Sequence, residues 1–248
     1  LPDGVFSFNS KKNKYYNSNF NSYFQGKKFE KDQKQLNIKN NLSLSGRQYV
    51  FKNSGIGSSI KFSFFNKNIY SDNVTGLDNN ININSNVTIG ADNEWPLVKI
   101  DKTSFQSITP RLFIKYTTGT MQNARNQDKI LDYSDVFSMN RTNNTDAIET
   151  GGSGGYGFEY KINKNKFNSI EKLYSSKFSF GQVVRKNRKD NLPHKSSLNN
   201  KTSDFVGDFD FNIFGRKIEK YKTDNINKLN FLDNFNQNML SINYKYNL

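Results

Sequence analysis

Apolar and polar residues alternate along most of this chain with a period of two. In the clearest case, residues 81–89, the odd positions from Ile81 to Ile89 are mostly aliphatic and the even positions are Asn or Thr. Successive side chains of a β-strand point to opposite faces of the sheet. This segment therefore predicts a strand with one mostly aliphatic face and one wholly polar face.

The same alternation predicts strands along the rest of the chain, and no window has helical periodicity. Clear strands are predicted at 111–117, 155–162, 204–213 and 240–248, and weaker ones at 4–9, 16–24, 34–45, 48–53, 58–66, 97–101, 176–185 and 216–222. Phe113 interrupts the polar face of its strand. Two segments without alternation, residues 121–150 and 186–201, are predicted to be long loops. The pattern predicts an all-β chain of about twelve antiparallel strands, each of roughly ten residues.

Two architectures fit such strands. In a soluble sandwich the apolar faces meet in a core. In a transmembrane β-barrel they face lipid, and the polar faces line a watery lumen. The strand lengths and the whole series of Asn, Lys, Asp and Glu on the polar faces favour the barrel. Side chains expected to face the lumen are Arg111, Lys115, Glu159, Lys161, Asp204, Asp208 and Asp210.

The amino-acid composition excludes several kinds of cross-link and metal site. The chain lacks cysteine, which excludes disulfides and Cys-bound zinc, and its single histidine, His194, excludes a His-rich metal site. The net charge of +14 suits nucleic acid, an anionic membrane or a phosphorylated glycolipid, although solubility and codon bias are an equally simple explanation. The sequence has no run of about eighteen apolar residues and no signal-peptide pattern at its start. We therefore expect either a cytosolic chain or part of an exported one.

No motif predicts catalysis. The glycines of residues 151–157 resemble a phosphate-binding loop, but no helix follows them, so we interpret them as a flexible lead into the strand at 155–162. Asp204, Asp208 and Asp210 share one predicted strand face, where pairing with cations across the lumen is a better interpretation than a calcium site. We therefore expect no enzyme activity, cofactor or metal.

Several short blocks, in order, resemble the barrel of the LptD family of lipopolysaccharide-assembly proteins, also called organic solvent tolerance proteins. The blocks are residues 94–99 (EWPLVK), 108–116 (ITPRLFIKY), 131–141 (LDYSDVFSMNR), 178–185 (FSFGQVVR), 190–193 (DNLP) and 203–207 (SDFVG). Residues 1–93 agree only in strand character. The family barrel has about 26 strands, so the resemblance implies that residues 1–248 are one barrel segment without the family's periplasmic domain, cysteines and C-terminal strands.

What the resemblance implies about function is transport, not chemistry. Such proteins insert lipopolysaccharide into the outer leaflet of a Gram-negative outer membrane, with a periplasmic transport bridge and an LptE-like lipoprotein that plugs the barrel as partners. The loop that carries Asp132, Tyr133, Phe137, Asn140 and Arg141 is expected to fold into the barrel mouth, where it plugs the barrel or packs against the lipoprotein. Alternatives are another outer-membrane porin or receptor, a soluble all-β module for glycans or nucleic acid, and a β-rich glycosidase.

Overall fold

The structure, a computed structural model, describes residues 3–10, 15–28, 33–74, 81–142, 147–165, 172–214 and 239–247. In these residues the chain is all-β: it forms one antiparallel sheet and has almost no helix. The strands are β1 (Asp3–Ser10), β2 (Tyr16–Lys28), β3 (Lys34–Gly46), β4 (Tyr49–Val50), β5 (Gly57–Asp72), β6 (Ile81–Glu94), β7 (Leu97–Ile100), β8 (Ser104–Thr117), β9 (Gly151–Asn165), β10 (Lys172–Arg185), β11 (Val206–Phe214) and β12 (Met239–Asn247).

The strands lie side by side in nearly the order of the chain. The order is β1-β2-β3-β5-β6-β8-β9-β10-β11-β12, with β4 added beside β5 and β7 beside β8. The sheet is open and does not close into a barrel. Strands β6 and β8 pair only from Thr88 opposite Thr117 to Glu94 opposite Arg111. Beyond Glu94, β7 continues the pairing with β8.

Several predicted boundaries were wrong. The strand predicted at 48–53 has only two strand residues, and β11 begins at Val206 rather than at Asp204. The glycine run is not a flexible lead, because β9 begins at Gly151 and includes it. The loop at 121–150 contains a short helix, α1 (Tyr133–Val136). The strand predicted at 216–222 lies outside the described residues.

No helix in the described part of the chain is long and apolar enough to cross a membrane.

The two faces of the sheet have the reverse of the exposure expected for a protein in water. On β6, Ile83 is 67% exposed and its neighbour Asn84 only 7%. Val87 and Ile89 are also exposed, whereas Thr88 between them is buried. We call the face that carries Asn84 and Thr88 the polar face and the opposite one the apolar face. The alternation predicted from the sequence is therefore present, with the apolar side chains pointing away from the interior.

The hydrophobic core lies on the polar face, between the sheet and the two long loops. One side of this core is formed by side chains of the strands, and the other side by side chains of the loops. The buried members are Phe113, Val183 and Val206 from the sheet, with Leu131, Tyr133, Val136, Phe137, Leu192 and Leu198 from the loops. Phe113, the residue that interrupts the predicted polar pattern of β8, is fully buried there.

Candidate functional site

Both long loops leave the same end of the sheet and fold back over the polar face of β6 to β11. We call these loop residues, 118–142, 147–150 and 186–205, the loop layer. The two loops bind each other: the Ala124 amide donates to the Asn191 carbonyl over 2.8 Å, and the Leu131 amide donates to the Ser196 hydroxyl over 3.0 Å. The two loops therefore form a single layer and do not pack independently.

Asn86 fixes the start of the first loop to the sheet. Its side-chain amide donates to the carbonyl oxygens of Thr118 and Thr120 over 2.9 and 3.1 Å. Asn86 is almost fully buried on the polar face of β6. A buried amide that is hydrogen-bonded to backbone stabilises one loop path, because any other path would leave it unsatisfied.

Helix α1 begins at a capping box. Asp132 is the N-cap: its side chain accepts from the Asp135 amide over 3.1 Å, and the Asp135 side chain accepts from the Asp132 amide over 2.9 Å. These bonds satisfy amides that have no partner in the first turn of a helix. The helix lays the ring of Tyr133 edge-on against Phe137, with centroids 5.1 Å apart. Burial, with the Glu159 carboxylate as the second cause, raises the pKa of Tyr133 to about 12.

Glycines on the polar face give α1 its place on the sheet. A side chain on Gly155 would overlap the backbone carbonyl and side chain of Val136. On the neighbouring strand β10, a Cβ on Gly181 would lie 3.4 Å from the side chains of both Tyr133 and Val136. Because glycine has no Cβ, the helix can approach the sheet backbone closely. Within the glycine run at 151–157, Gly155 therefore serves the packing of α1 on the sheet.

Glu149 lies at the centre of the contact between loop layer and sheet. Its carboxylate accepts from Lys115 of β8 over 2.9 Å, from Arg141 over 2.9 Å and from Arg185 of β10 over 2.5 Å. The Ser153 hydroxyl of β9 donates to it over 3.0 Å. All four charged side chains are buried. One carboxylate thus joins the loop layer to three consecutive strands.

The three cations around Glu149 determine whether its carboxyl group is protonated. Burial alone would raise the pKa of Glu149, but Arg141, Lys115 and Arg185 together hold it well below its usual range. Burial lowers the pKa of Arg141, and the Glu149 carboxylate opposes that shift. Glu149 is therefore ionised at neutral pH. Every contact of the carboxylate is with a cation or a hydroxyl, so it holds the loop layer on the sheet.

Arg141 also closes the end of α1. Its Nε and Nη2 atoms donate to the carbonyl oxygen of Val136 over 3.2 and 3.0 Å. Its Nη1 donates to the Ser153 hydroxyl over 2.8 Å. The carbonyls at a helix C-terminus carry partial negative charge and lack helical partners, so a guanidinium there satisfies them. Arg141 thus connects the helix, Glu149 and β9.

The other predicted loop residues belong to the same layer. The Asn140 side-chain oxygen accepts from the Thr142 hydroxyl over 3.0 Å and from the Glu149 amide over 3.3 Å. Phe137 is buried beneath the guanidinium of Arg111, which lies 4.3 Å from its ring centroid. Such a cation over an aromatic face is attractive. The structure therefore brings together Asp132, Tyr133, Phe137, Asn140 and Arg141.

The side chains predicted to face the lumen occupy the polar face in all but one case. Arg111 donates to both oxygens of Asp92 over 2.9 and 2.5 Å, and Lys61 contacts the same carboxylate over 2.6 Å. Lys115 belongs to the Glu149 cluster. Glu159 pairs with Lys161 and, over 3.0 Å, with Lys177.

The three aspartates do not share one strand as predicted. Asp208 and Asp210 lie on β11, opposite Ser179 and Lys177 of β10. Asp204 lies before the strand begins, in the loop layer, where its amide donates to the Ser196 carbonyl over 3.0 Å. Among the described residues, no group of three or more His, Cys, Asp or Glu side chains has a geometry that could hold a metal ion.

On the other half of the polar face, on β1 to β3, no loop layer is present in the part of the chain that the structure describes. An open cleft of about 400 Å³ lies there, lined by Asn9, Asn17, Ser18, Asn19, Ser43 and Ser45. Its walls present amides and hydroxyls and no charge. Among the described residues, the polar face therefore has a covered half, with a small hydrophobic core, and an uncovered half that presents polar groups.

Sequence reasoning named Lys115 and Arg141 but missed other residues that hold the loop layer in place. Glu149 had no motif to mark it, Arg185 was given no role although it ends block 178–185, and Gly155 was interpreted as flexible. The break in alternation at Phe113 was a usable signal, since a large apolar residue on a polar face needs a cover. Comparison with known proteins finds no family model and no curated sequence that matches this chain.

Proposed function

We propose that this chain is part of the wall of a Gram-negative outer-membrane β-barrel that inserts lipopolysaccharide into the outer leaflet. The reversed exposure of the two sheet faces is the observation that supports a location in a membrane. Along β8, Leu112, Ile114 and Tyr116 are exposed while Phe113 and Lys115 between them are buried. Lipid on the apolar side and water or loops on the other is the environment that matches this pattern.

A soluble sandwich is a poorer match. Burying an aliphatic side chain is worth about 1.5–3 kcal/mol relative to leaving it in water. On β5 and β6 alone Ile60, Ile81, Ile83 and Ile89 are each more than half exposed. A sandwich would place these side chains against a second sheet, whereas the described strands form one sheet with this face uncovered. Lipid would cover the face without a second sheet.

The lipopolysaccharide part depends on the resemblance, and the polar face is compatible with it. A phosphorylated amphiphile needs a polar path for its sugars and an apolar surface for its acyl chains. The uncovered half of the polar face offers amides and hydroxyls, and the apolar face offers aliphatic side chains. The role is transport and assembly, with no bond broken and no cofactor. The partners are an LptE-like lipoprotein and the periplasmic bridge.

Photocrosslinking in cells that make the chain tests this function. We expect a photoreactive side chain at Ser43, in the uncovered cleft, to form an adduct with lipopolysaccharide. Ala124, which is buried within the loop layer, is the control position and should form none. A chain that enters the outer membrane but gives no adduct at Ser43 would support a porin or receptor instead. A chain that stays dispersed without detergent would refute the membrane assignment.

A further inference from the structure

We propose that Lys186, Lys189 and Lys201, which we call the lysine rim, bind the phosphate groups of lipids that surround the wall. The inference rests on the proposed function, because it takes the apolar face to be in a bilayer. It adds a binding site for anionic headgroups at the end of the sheet that carries the loop layer.

The three lysines converge where β9 begins and β10 ends. The Lys186 amide donates to the Gly152 carbonyl over 3.3 Å, and the Lys201 carbonyl accepts from the Arg185 amide over 2.7 Å. The Lys189 ammonium lies 3.7 Å from the position that a Cβ on Gly151 would occupy. Backbone contacts place Lys186 and Lys201, and a side-chain contact places the Lys189 ammonium, beside the start of β9 and the end of β10.

The positive charge of this corner is not neutralised by the described residues. Two acidic side chains of this region are already engaged: Asp190 by Arg188 over 2.8 Å, and Glu149 by three buried cations. None of the rim lysines forms an ion pair within the described ranges. Directly below them, Arg185 is buried and its Nη2 atom has no hydrogen-bond partner. Three surface cations above a buried cluster with excess positive charge favour an anion at this place.

The position of the rim identifies the source of the anion. Val184 and Tyr116 are exposed on the apolar face next to it, and the Tyr116 ring lies 3.8 Å from where a Cβ on Gly152 would be. Exposed aromatic and aliphatic side chains that give way to lysines are typical of the boundary between acyl chains and headgroups. Lipid headgroups thus have a reason to be present here that free phosphate lacks.

The test measures which lipid the protein retains. The chain is reconstituted in phosphatidylcholine vesicles that contain phosphatidylglycerol, extracted in a nonionic detergent, and its bound lipids are counted by mass spectrometry. The rim variant combines Lys186→Gln, Lys189→Gln and Lys201→Gln. The control variant combines Lys52→Gln, Lys99→Gln and Lys102→Gln, which removes three exposed lysines near the opposite end of the sheet.

We expect the unaltered chain and the control to retain phosphatidylglycerol in excess. The rim variant should lose this enrichment by roughly a hundredfold, since each of the three lysines near an anionic surface is worth about a fivefold change in affinity. Equal enrichment in the rim and control variants would overturn the proposal. So would preferential displacement by inorganic phosphate over sodium chloride at equal ionic strength, because that result would assign the site to free phosphate.

Failure of this inference is distinguishable from failure of the proposed function. If only the lysine rim is wrong, all three proteins enter the vesicles and retain the same lipids. If the membrane assignment is wrong, none of the three enters a bilayer, and both proposals are overturned together.

Discussion

Arg141 and Glu149 form a fully buried ion pair, with 2.9 Å between Nη1 of the arginine and Oε1 of the glutamate. Arg141 also holds the last carbonyl of α1, and Glu149 also holds Lys115 and Arg185 from two strands. The pair therefore fixes the position of the helix relative to the sheet. It explains how a long loop with little secondary structure can keep one position on the polar face.

Replacement of Glu149 by glutamine should release the loop layer. The variant keeps the size of the side chain but leaves three buried cations without a counter-charge. Breaking a buried pair in this way costs about 3–5 kcal/mol. Hydrogen exchange should show faster exchange at the amides of residues 131–141 while the sheet amides keep their protection.

Asp128→Asn is the matched control for that variant. Asp128 pairs with Lys195 over 2.7 Å, but its side chain is mostly exposed. Exposed pairs contribute little to stability, so exchange in residues 131–141 should stay as in the unaltered chain. Equal loosening by both variants would mean that Glu149 has no special place in the loop layer.

Acid should loosen the loop layer at a pH set by Glu149. Its pKa in the folded chain lies well below the ordinary value of 4.5. A lowered folded pKa gives stability that is complete above the unfolded pKa and is lost as pH falls toward the folded one. Protection of residues 131–141 should therefore be constant from neutral pH to about pH 4.5 and decline below it. The Glu149→Gln variant should lack this decline; a decline of equal size would assign it to another group.

Gly155→Ala should displace α1 from the sheet. The added methyl group would overlap the carbonyl oxygen of Val136, which is backbone and cannot rotate away. Overpacking of this kind costs about 1–3 kcal/mol. Gly152→Ala, three residues earlier on the same strand, has its nearest neighbour at 3.8 Å and is the control. Limited proteolysis of the loop layer should be faster in the first variant only, and equal rates would contradict the packing described here.

Phe113→Ala and Leu112→Ala test the two faces of one strand. Phe113 is fully buried under the loop layer, whereas Leu112 is 46% exposed on the apolar face. Loss of a buried phenylalanine side chain costs about 3–5 kcal/mol. Thermal unfolding in detergent should therefore show a large loss of stability for Phe113→Ala and a small one for Leu112→Ala. The opposite order would mean that the faces are assigned the wrong way round.

The sheet was largely predictable, because its signal is local. Each strand repeats its pattern every second residue, so the faces of β6 and β8 can be identified from their own residues. The ends were less predictable: β9 begins at Gly151, whose φ of 89° favours glycine, and close packing requires a glycine further along, at Gly155. Asp204 was assigned to a strand from its spacing, although the chain turns into the strand only at Val206.

The loop layer was not predictable in detail, because its contacts join distant parts of the chain. Glu149 meets Lys115 across 34 residues and Arg185 across 36 residues. No periodicity relates such positions, and single buried charges have no motif. The residues in block 131–141 were identified through the resemblance, and the structure adds that they pack on the sheet of this same chain.

The most direct test of the membrane assignment is the environment of single residues in a reconstituted bilayer. The chain has no cysteine, so one nitroxide label can be attached at a chosen position without background. Ile89 of β6 and Phe62 of β5 are paired neighbours on the apolar face, and Ser63 lies on the polar face. We predict that oxygen relaxes the labels at Ile89 and Phe62 more than a water-soluble nickel complex does, and that the order reverses at Ser63. Labels at Ile89 and Phe62 that are shielded from both reagents, or reached equally by the nickel complex, would contradict a lipid-facing sheet.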